Sequence, residues 1–279
     1  MLNNFIGLKK IEAAICIVFL AILAHAGPPP GYRLAWSDEF NGTRLNKAKW
    51  EYARNGWRSD AYNTPAAVSV TNGCLVIATY TRGGTNFTGF IDTKNRFESR
   101  YGYYEASISF SNAPGQWSAF WIQSPWMMNV QPRRAALGNT NDNPTNGVEI
   151  DVFEHRCVDG RGHNWINGGD HALHWNGYGR DEHNAVWSSR NFGVGDGFHT
   201  YGFLWTTNSY TFYVDGKVTW TTTSYMISSA PEIIRLTSEV ESHSWAGTVP
   251  AGGYPDKAHS QIKMYVDYVR YYAPPASNR

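Results

Sequence analysis

Short apolar runs, separated by clusters of Gly, Asn, Asp and Pro, recur along the chain from residue 33 onward. The runs are rich in β-branched and aromatic residues, and no stretch sustains the 3.6-residue period of an amphipathic helix. Many short strands between turn signals are typical of an all-β fold, and we predict a β-jelly-roll sandwich of two antiparallel sheets. The predicted strands are residues 74–80, 101–110, 117–123, 148–155, 171–175, 200–205, 210–214, 233–240 and 262–272.

Turn and loop signals add to this prediction. Asp215 and Gly216 separate residues 210–214 from residues 217–221, and an Asp-Gly pair suits the type I′ turn of a two-residue hairpin. Two long segments without periodicity, 126–147 and 158–170, flank the predicted strand 148–155. Loops of that length in a compact domain are usually functional. We therefore expect them to form the walls of a cleft beside this strand.

The first 26 residues have the pattern of an export signal. Lys9 and Lys10 precede an apolar stretch at residues 13–24, and residues 24–26 read Ala-His-Ala, a small-x-small cleavage sequence. The stretch is too short to span a bilayer, which argues against a membrane anchor. We interpret residues 1–26 as a signal peptide of a protein secreted to the extracellular space or the periplasm. Residues 27–279 are then expected to form a single domain.

Composition narrows the choice of partner. The formal net charge is +1, so no overall field attracts nucleic acid or an anionic membrane surface. Aromatic residues make up 15% of the chain, with 12 tryptophans, and flat rings cover the apolar faces of sugars well. Most single tryptophans nevertheless belong to a core. We expect a monomer with a carbohydrate partner, no nucleic acid partner and no membrane contact after signal removal.

Two cysteines remain after residue 26. Cys74 and Cys157 permit at most one disulfide, and a domain of this size can be stable without it. The sequence leaves open whether they pair.

Three carboxylates lie within six residues of one predicted strand, at Glu149, Asp151 and Glu154. Regular alternation puts Glu154 on the opposite face from the other two, whereas a β-bulge at residues 152–153 returns it to their face. Carboxylates crowded on one face cannot all ionise, so one holds a proton. An ionised and a protonated carboxyl about 5 Å apart are what retaining glycoside cleavage requires. The alternative is a solvated outer face with incidental acids.

The segment EIDVFE at residues 149–154 resembles the E-x-D-x-x-E signature of glycoside hydrolase family 16 in its bulged form. Further segments resemble conserved stretches of that family, in the family's order: WSDEFNGT at 36–43, FESRYGYYE at 97–105, GQWSAFW at 115–121, FHTYGFLW at 198–205, YVDG at 213–216 and YVDYVRYY at 265–272. The resemblance covers nearly the whole chain after residue 26. It implies a jelly roll with a cleft on its concave sheet, and a catalytic domain that cuts a β-linked polysaccharide internally.

The resemblance also implies roles for individual residues. Glu149 would be the nucleophile, Glu154 the general acid/base and Asp151 their electrostatic helper, giving a glycosyl-enzyme that water resolves with net retention. No cofactor is expected for catalysis. The candidate substrate-binding residues are Trp117, Trp121, His174, Arg58 and Asn63, and the candidate ligands of a structural calcium are Glu39, Gly73 and Asp267. A metal site at His163, Asp170, His171 and His174 is an alternative, but its spacing fits no standard zinc pattern.

The substrate is less well defined by the sequence. The bulged motif argues against the unbulged lichenase and xyloglucan-transferase branch, and residues 58–65 lack the Asn-Asn-Glu type segment of laminarinases. We predict a β-1,3-glucan or a red-algal-type galactan, which Arg58, Asn63, Arg133 and Arg134 are candidates to contact. Two other functions remain open, a non-catalytic carbohydrate-binding module on the same scaffold and a transglycosylase.

Overall fold

The computed structural model describes residues 27–127, 144–178 and 182–276. Within these ranges the chain forms β-strands, turns and short 3-10 segments, and no α-helix. No helix there is long and apolar enough to cross a membrane. The proposed signal peptide at residues 1–26 lies outside the described residues, as do Arg133 and Arg134.

The strands are short, as the spacing of turn residues predicts. In chain order they are β1 (Arg33–Asp38), β2 (Glu51–Tyr52), β3 (Gly56–Arg58), β4 (Ala61–Asn63), β5 (Val68–Thr71), β6 (Cys74–Ala78), β7 (Tyr80–Arg82), β8 (Thr85–Thr88), β9 (Phe90–Asp92), β10 (Gly102–Ser109), β11 (Gln116–Gln123), β12 (Val148–Arg156), β13 (Gly169–Trp175), β14 (His183–Ser189), β15 (His199–Trp205), β16 (Tyr210–Val214), β17 (Lys217–Thr222), β18 (Ile233–Val240) and β19 (Lys263–Ala273). Each of the nine predicted strands is confirmed, with bounds that differ by a few residues at most.

Two large antiparallel sheets form the sandwich. One has the order β17-β16-β15-β10-β19-β6-β5, with β1 also paired to β19, and the other has the order β14-β13-β12-β11-β18-β9-β2. A small third sheet, β3-β4-β8-β7, contains a parallel pair between β4 and β8. The sheet order places β12, which carries the three acids, between β11 and β13. The predicted all-β sandwich is confirmed.

Aromatic side chains from both large sheets fill the space between them. Phe203 and Phe212 of the first sheet are fully buried in the same core cluster as Phe120 and Phe153 of the second. Their rings meet at the centre of the sandwich, where Phe153 and Tyr201 have ring centroids 4.4 Å apart. Burying several such rings contributes most of the hydrophobic stabilisation of the fold. This core forms a firm support beneath the strand that carries the acids.

The predicted hairpin is confirmed. Asp215 and Gly216 join β16 to β17, with φ of 47° and 70°, as a type I′ turn requires. The carboxylate of Asp215 also accepts a hydrogen bond from the backbone N–H of Thr200, at 2.9 Å. The side chain thus ties the turn to the neighbouring strand β15.

Cys74 and Cys157 are both free in the structure. The fold therefore relies on its core and its sheets, without a disulfide between these two residues.

Candidate active site

Strand β12 contains the bulge that the spacing of its acids predicts. Phe120 of β11 lies opposite Phe153, and the next residue, Trp121, lies opposite Asp151, so Val152 has no partner. Val152 and Phe153 are both fully buried. Because two consecutive side chains enter the core, the alternation resets. Glu154 therefore returns to the face of Asp151.

One cavity gathers the three acids. It has a volume of about 180 Å³ and is open to solvent on one side. Strands β3, β11, β12 and β18 supply its walls, with the side chains of Arg58, Trp117, Ala119, Trp121, Glu149, Asp151, Glu154 and Glu239. The pairing of β12 with β11 and of β11 with β18 brings together residues as far apart along the chain as Trp117 and Glu239.

Hydrogen-bond donors surround the Glu149 carboxylate. Gln123 Nε2, on the neighbouring strand, donates to Glu149 Oε2 at 2.6 Å. The hydroxyl of Tyr178 donates to the same oxygen. Donors of this kind stabilise the ionised form of a carboxylate and fix its orientation. Glu149 is thus held in a fixed orientation that faces the cavity.

Glu154 lies in a different electrostatic environment. Burial raises its pKa to about 8, and the nearby carboxylates of Glu239 and Glu149 add to the shift. Burial, together with the charges of Glu154 and Glu149, also raises the pKa of Asp151 well above its usual range. At neutral pH Glu154 therefore carries a proton that it can donate. An oriented carboxylate and a protonated carboxyl in one cavity are the two groups needed to cleave a glycosidic bond.

His174 lies beside the acids on the adjacent strand β13, where it pairs with Glu149 across the sheet. Its Nε2 is 3.6 Å from Asp151 Oδ2, and its Nδ1 is 2.7 Å from Glu182 Oε1. A ring held between two carboxylates is well placed to orient Asp151. Ligand atoms of Glu149, Asp151 and His174 lie within 4.8 Å of one another, so these three side chains are chemically able to hold a cation.

The alternative metal grouping does not assemble. The ring nitrogens of His171 are taken by the carbonyl of Val152, at 2.6 Å, and by Thr219 Oγ1, at 2.8 Å. Asp170 forms an ion pair with Arg156, and His163 bonds to Asp159. The potential ligand atoms of these residues therefore have separate hydrogen-bond or ion-pair partners and do not converge on one point.

Trp117 and Trp121 share the cavity wall, as their spacing of four on one strand predicts. They expose only 7% and 4% of their surface. The Trp121 indole N–H donates to Thr237 Oγ1 at 3.2 Å, and the guanidinium of Arg235 lies 4.7 Å from its ring centroid. Both tryptophans are therefore rigid parts of the cleft floor, and a stacking role toward sugar stays a prediction.

The structure separates the other two substrate-binding candidates. Arg58 lines the cavity, and its Nη2 lies 2.7 Å from Glu239 Oε1. Asn63 is almost fully buried at the end of β4, opposite Gly56, and is not among the residues that line the cavity. Both residues lie in the small sheet, but only Arg58 reaches the cavity that contains the acids.

Of the three calcium candidates, Glu39 already has a cationic partner. Both carboxylate oxygens of Glu39 accept hydrogen bonds from the Arg270 guanidinium, at 3.0 and 2.7 Å. Gly73 lies in the turn between β5 and β6, and Asp267 is an exposed residue of β19. The Arg270 guanidinium therefore competes with any cation for the carboxylate of Glu39. The calcium site itself stays a prediction.

Sequence reasoning missed three residues that contact the acids or line their cavity: Gln123, Tyr178 and Glu239. The first two bond to Glu149, and the third lines the cavity. A signal for Glu239 was present, because Arg235, Thr237 and Glu239 are polar at every second position of β18, although Ser238 between them is polar too. Alternation indicates a polar face but does not show which strand that face adjoins.

The β-sandwich and the paired carboxyl groups in its cavity define a glycoside hydrolase. The chain belongs to glycoside hydrolase family 16, because residues 33–274 match the family model described as "Beta-porphyranase A-D, GH16 domain". It is an endo-acting β-glycosidase of that family, which the sequence resemblance predicted.

Characterised relatives cover most of the chain at low identity. A β-porphyranase B of Phocaeicola plebeius is 28% identical over 283 residues, covering 88% of this chain and 86% of that protein. A keratan-sulfate endo-1,4-β-galactosidase of Sphingobacterium multivorum is 26% identical over 262 residues, and this match covers 88% of this chain but only 56% of that protein. The crystal structure of porphyranase B from Zobellia galactanivorans has a TM-score of 0.65 at 20% identity, covering 86% of this chain and 92% of that one, and shares the fold.

Proposed function

We propose that this domain cleaves an internal β-glycosidic bond with retention of configuration, with Glu149 as nucleophile and Glu154 as general acid/base. The observation that carries the proposal is the contrast between the two groups in one cavity. Glu149 accepts two hydrogen bonds that orient it, while Glu154 holds a proton at neutral pH. This division of roles is the one that a double-displacement glycosidase requires.

The proposed reaction has two steps. In the first, Glu149 attacks the anomeric carbon, the bond to the leaving oxygen breaks, and that oxygen takes the proton of Glu154. In the second, ionised Glu154 removes a proton from water, the water oxygen attacks the anomeric carbon, and the bond to Glu149 breaks. Asp151, held near His174, assists through its position beside Glu149. Both groups end in their starting protonation states.

We infer a β-linked galactan of the red-algal type as the substrate, rather than a β-1,3-glucan. The support is the match to a porphyranase-type domain over residues 33–274 and the two similar proteins named for galactose-containing polymers. The arginines near the cleft do not by themselves favour a sulfated chain, since each lies against a carboxylate. These pairs are Arg58 with Glu239, Arg156 with Asp170 and Arg235 with Asp92.

We further propose that the protein is secreted and acts as a monomer. The basic residues, the apolar stretch and the Ala-His-Ala sequence of residues 1–26 support export. N-terminal sequencing of protein recovered from the medium or the periplasm tests this, and a chain that starts near residue 27 is expected. Light scattering of the purified protein tests the monomer.

The catalytic assignment is tested on the purified protein with porphyran, agarose, κ-carrageenan, keratan sulfate and laminarin. We expect a ladder of oligosaccharides from one galactan, and loss of at least about a thousandfold in rate for Glu149→Gln and Glu154→Gln. Glu241→Gln is the matched control, because Glu241 is exposed and outside the cavity. A ladder from laminarin alone would contradict the galactan proposal but not the catalytic one.

Azide separates the two catalytic roles. With an activated aryl glycoside, Glu149→Ala plus azide should give a glycosyl azide of inverted configuration, because azide enters where the nucleophile stood. Glu154→Ala plus azide should give the retained product, because azide replaces the water of the second step. The reverse pattern would show that the two roles are exchanged. Added acceptor sugars reveal any transglycosylation as products longer than the substrate.

A further inference from the structure

Glu239 is a fourth carboxylate in the catalytic cavity. It lies on β18, opposite Trp117 of β11, and the residue is 8% exposed. Its Oε1 is 2.7 Å from Arg58 Nη2, which comes from β3 in the small sheet. The proposed catalytic steps use neither Glu239 nor this ion pair.

Burying a carboxylate beside other acids is costly without a compensating contact. Burial raises the pKa of Glu239, and the Arg58 guanidinium opposes that shift. Arg58 is itself ordered by the rings of Phe90 and Trp121, which lie 5.2 and 5.8 Å from its guanidinium. The pair is therefore a fixed element of the cleft wall rather than a mobile surface contact.

Charged groups reach Glu154 from several strands. Its own strand carries Glu149, Asp151 and Arg156, and the residue paired with it on β13 is Asp170, which forms an ion pair with Arg156. Strand β11 brings Trp117 and Ala119 but no titratable side chain to the cavity. The groups that face Glu154 from β18 and β3 are Glu239 and Arg58. Among the like charges that raise the pKa of Glu154, Glu239 has a larger effect than Glu149, and only burial has a larger effect than Glu239.

We propose that Glu239, anchored by Arg58, is a positioning residue that keeps Glu154 protonated in the resting enzyme until the leaving oxygen takes the proton. This inference rests on the proposed role of Glu154 as general acid. Glu239 need not touch the sugar to act, because a fixed negative charge across the cavity disfavours a second one. Glu239 would therefore set the upper limit of the pH range in which Glu154 can act as the acid.

The pH profile of kcat/KM tests this directly. The acid must be protonated, so activity is present below the pKa of Glu154 and is lost as pH rises through about 8. In Glu239→Gln the repelling charge is gone and Arg58 stays, so the alkaline limb should move down by about one pH unit. The ratio of rates at about pH 8 to about pH 6 should then fall roughly fivefold.

Two further variants make the result specific. Glu239→Asp keeps the negative charge on a side chain that is one methylene shorter. Its alkaline limb should therefore lie between those of the wild type and Glu239→Gln. Glu241→Gln removes an exposed acid two residues along and should leave the limb in place. A slower Glu239→Gln enzyme with an unmoved alkaline limb would mean that Glu239 only supports the fold, and the proposal would be wrong.

A titration without substrate keeps the inference separate from the proposed function. Carbon-13 NMR of labelled glutamate carboxyls, with Glu154→Gln to assign the signal, follows Glu154 directly in wild-type and Glu239→Asp or Glu239→Gln protein. A midpoint that falls when Glu239 is neutralised supports the inference even if no polymer in the panel is cut. An unchanged midpoint would overturn it even if the enzyme is active.

Discussion

At the residue scale, Glu149 and Glu154 have the same side chain and opposite surroundings. Glu149 accepts hydrogen bonds from Gln123 and Tyr178, which fix its orientation. Glu154 is buried and lies near other carboxylates, and both conditions favour its protonated form. The difference arises from the neighbours that each carboxyl group meets, which come from β11, β18 and the residues after β13.

Replacing Tyr178 by Phe removes one of the two donors to Glu149. We expect kcat to fall about tenfold with little change in KM, since the lost hydrogen bond orients the nucleophile more than it binds sugar. Steady-state kinetics on the preferred polymer measure both values. Tyr225→Phe is the control, because Tyr225 is a similarly exposed tyrosine that packs against Trp175 and Trp220 instead. Equal losses in the two variants would contradict the role of Tyr178.

At the element scale, the bulge in β12 depends on its neighbour β13. Gly169 begins β13, and a Cβ at this position would lie 2.4 Å from the Phe153 ring and 2.6 Å from the carbonyl of Glu154. Only a residue without a side chain allows the bulged Phe153 to pack there. The strand that follows the acids thus determines where Glu154 points.

Gly169→Ala tests this dependence. The added methyl must displace Phe153 or the backbone of Glu154, so we expect a loss of about 1–3 kcal/mol in the free energy of unfolding and a fall in kcat. Denaturant unfolding and kinetics measure the two effects. Gly42→Ala provides the control, because a Cβ there meets its nearest neighbour at an ordinary 3.5 Å. Normal stability with normal kcat would show that the bulge does not require glycine at position 169.

At the scale of the whole molecule, the sheet of β1 and β19 is joined by an ion pair at the place where calcium was predicted. Arg270 donates to both oxygens of Glu39 and lies over the ring of Tyr268, 3.7 Å from its centroid. The Arg270 guanidinium lowers the pKa of Glu39. The contribution of this pair to stability is therefore present at neutral pH and is lost as the solution becomes acidic enough to protonate Glu39.

Thermal unfolding with a chelator or with added calcium tests whether Arg270 takes the place of a metal. We expect the same Tm in excess EDTA and in millimolar calcium, because Glu39 is already neutralised. Arg270→Gln should lower stability by less than about 1 kcal/mol, since the pair is partly exposed. A Tm that rises with calcium in the wild type would instead support the calcium prediction.

Much of the fold could be predicted because its signals are local. The alternation within residues 233–240 and the Asp-Gly pair at 215–216 each specify a strand or a turn without reference to the rest of the chain. The bulge at Val152 was also predictable, because three acids with spacings of two and three share a face only if one residue is skipped. The match of several segments to one family then linked those acids to glycoside cleavage.

The sequence by itself thus determined the strands, the bulge and the three acids of β12, since a period of two and an odd spacing are properties of neighbouring residues. Only the tertiary structure decided that Glu239 and Arg58 form an ion pair in the cavity, that Asn63 lies outside the cavity, and that Arg270 forms an ion pair with Glu39. These contacts join residues up to 231 positions apart. They depend on how strands pair across the sheets, which side-chain alternation along one strand leaves unspecified.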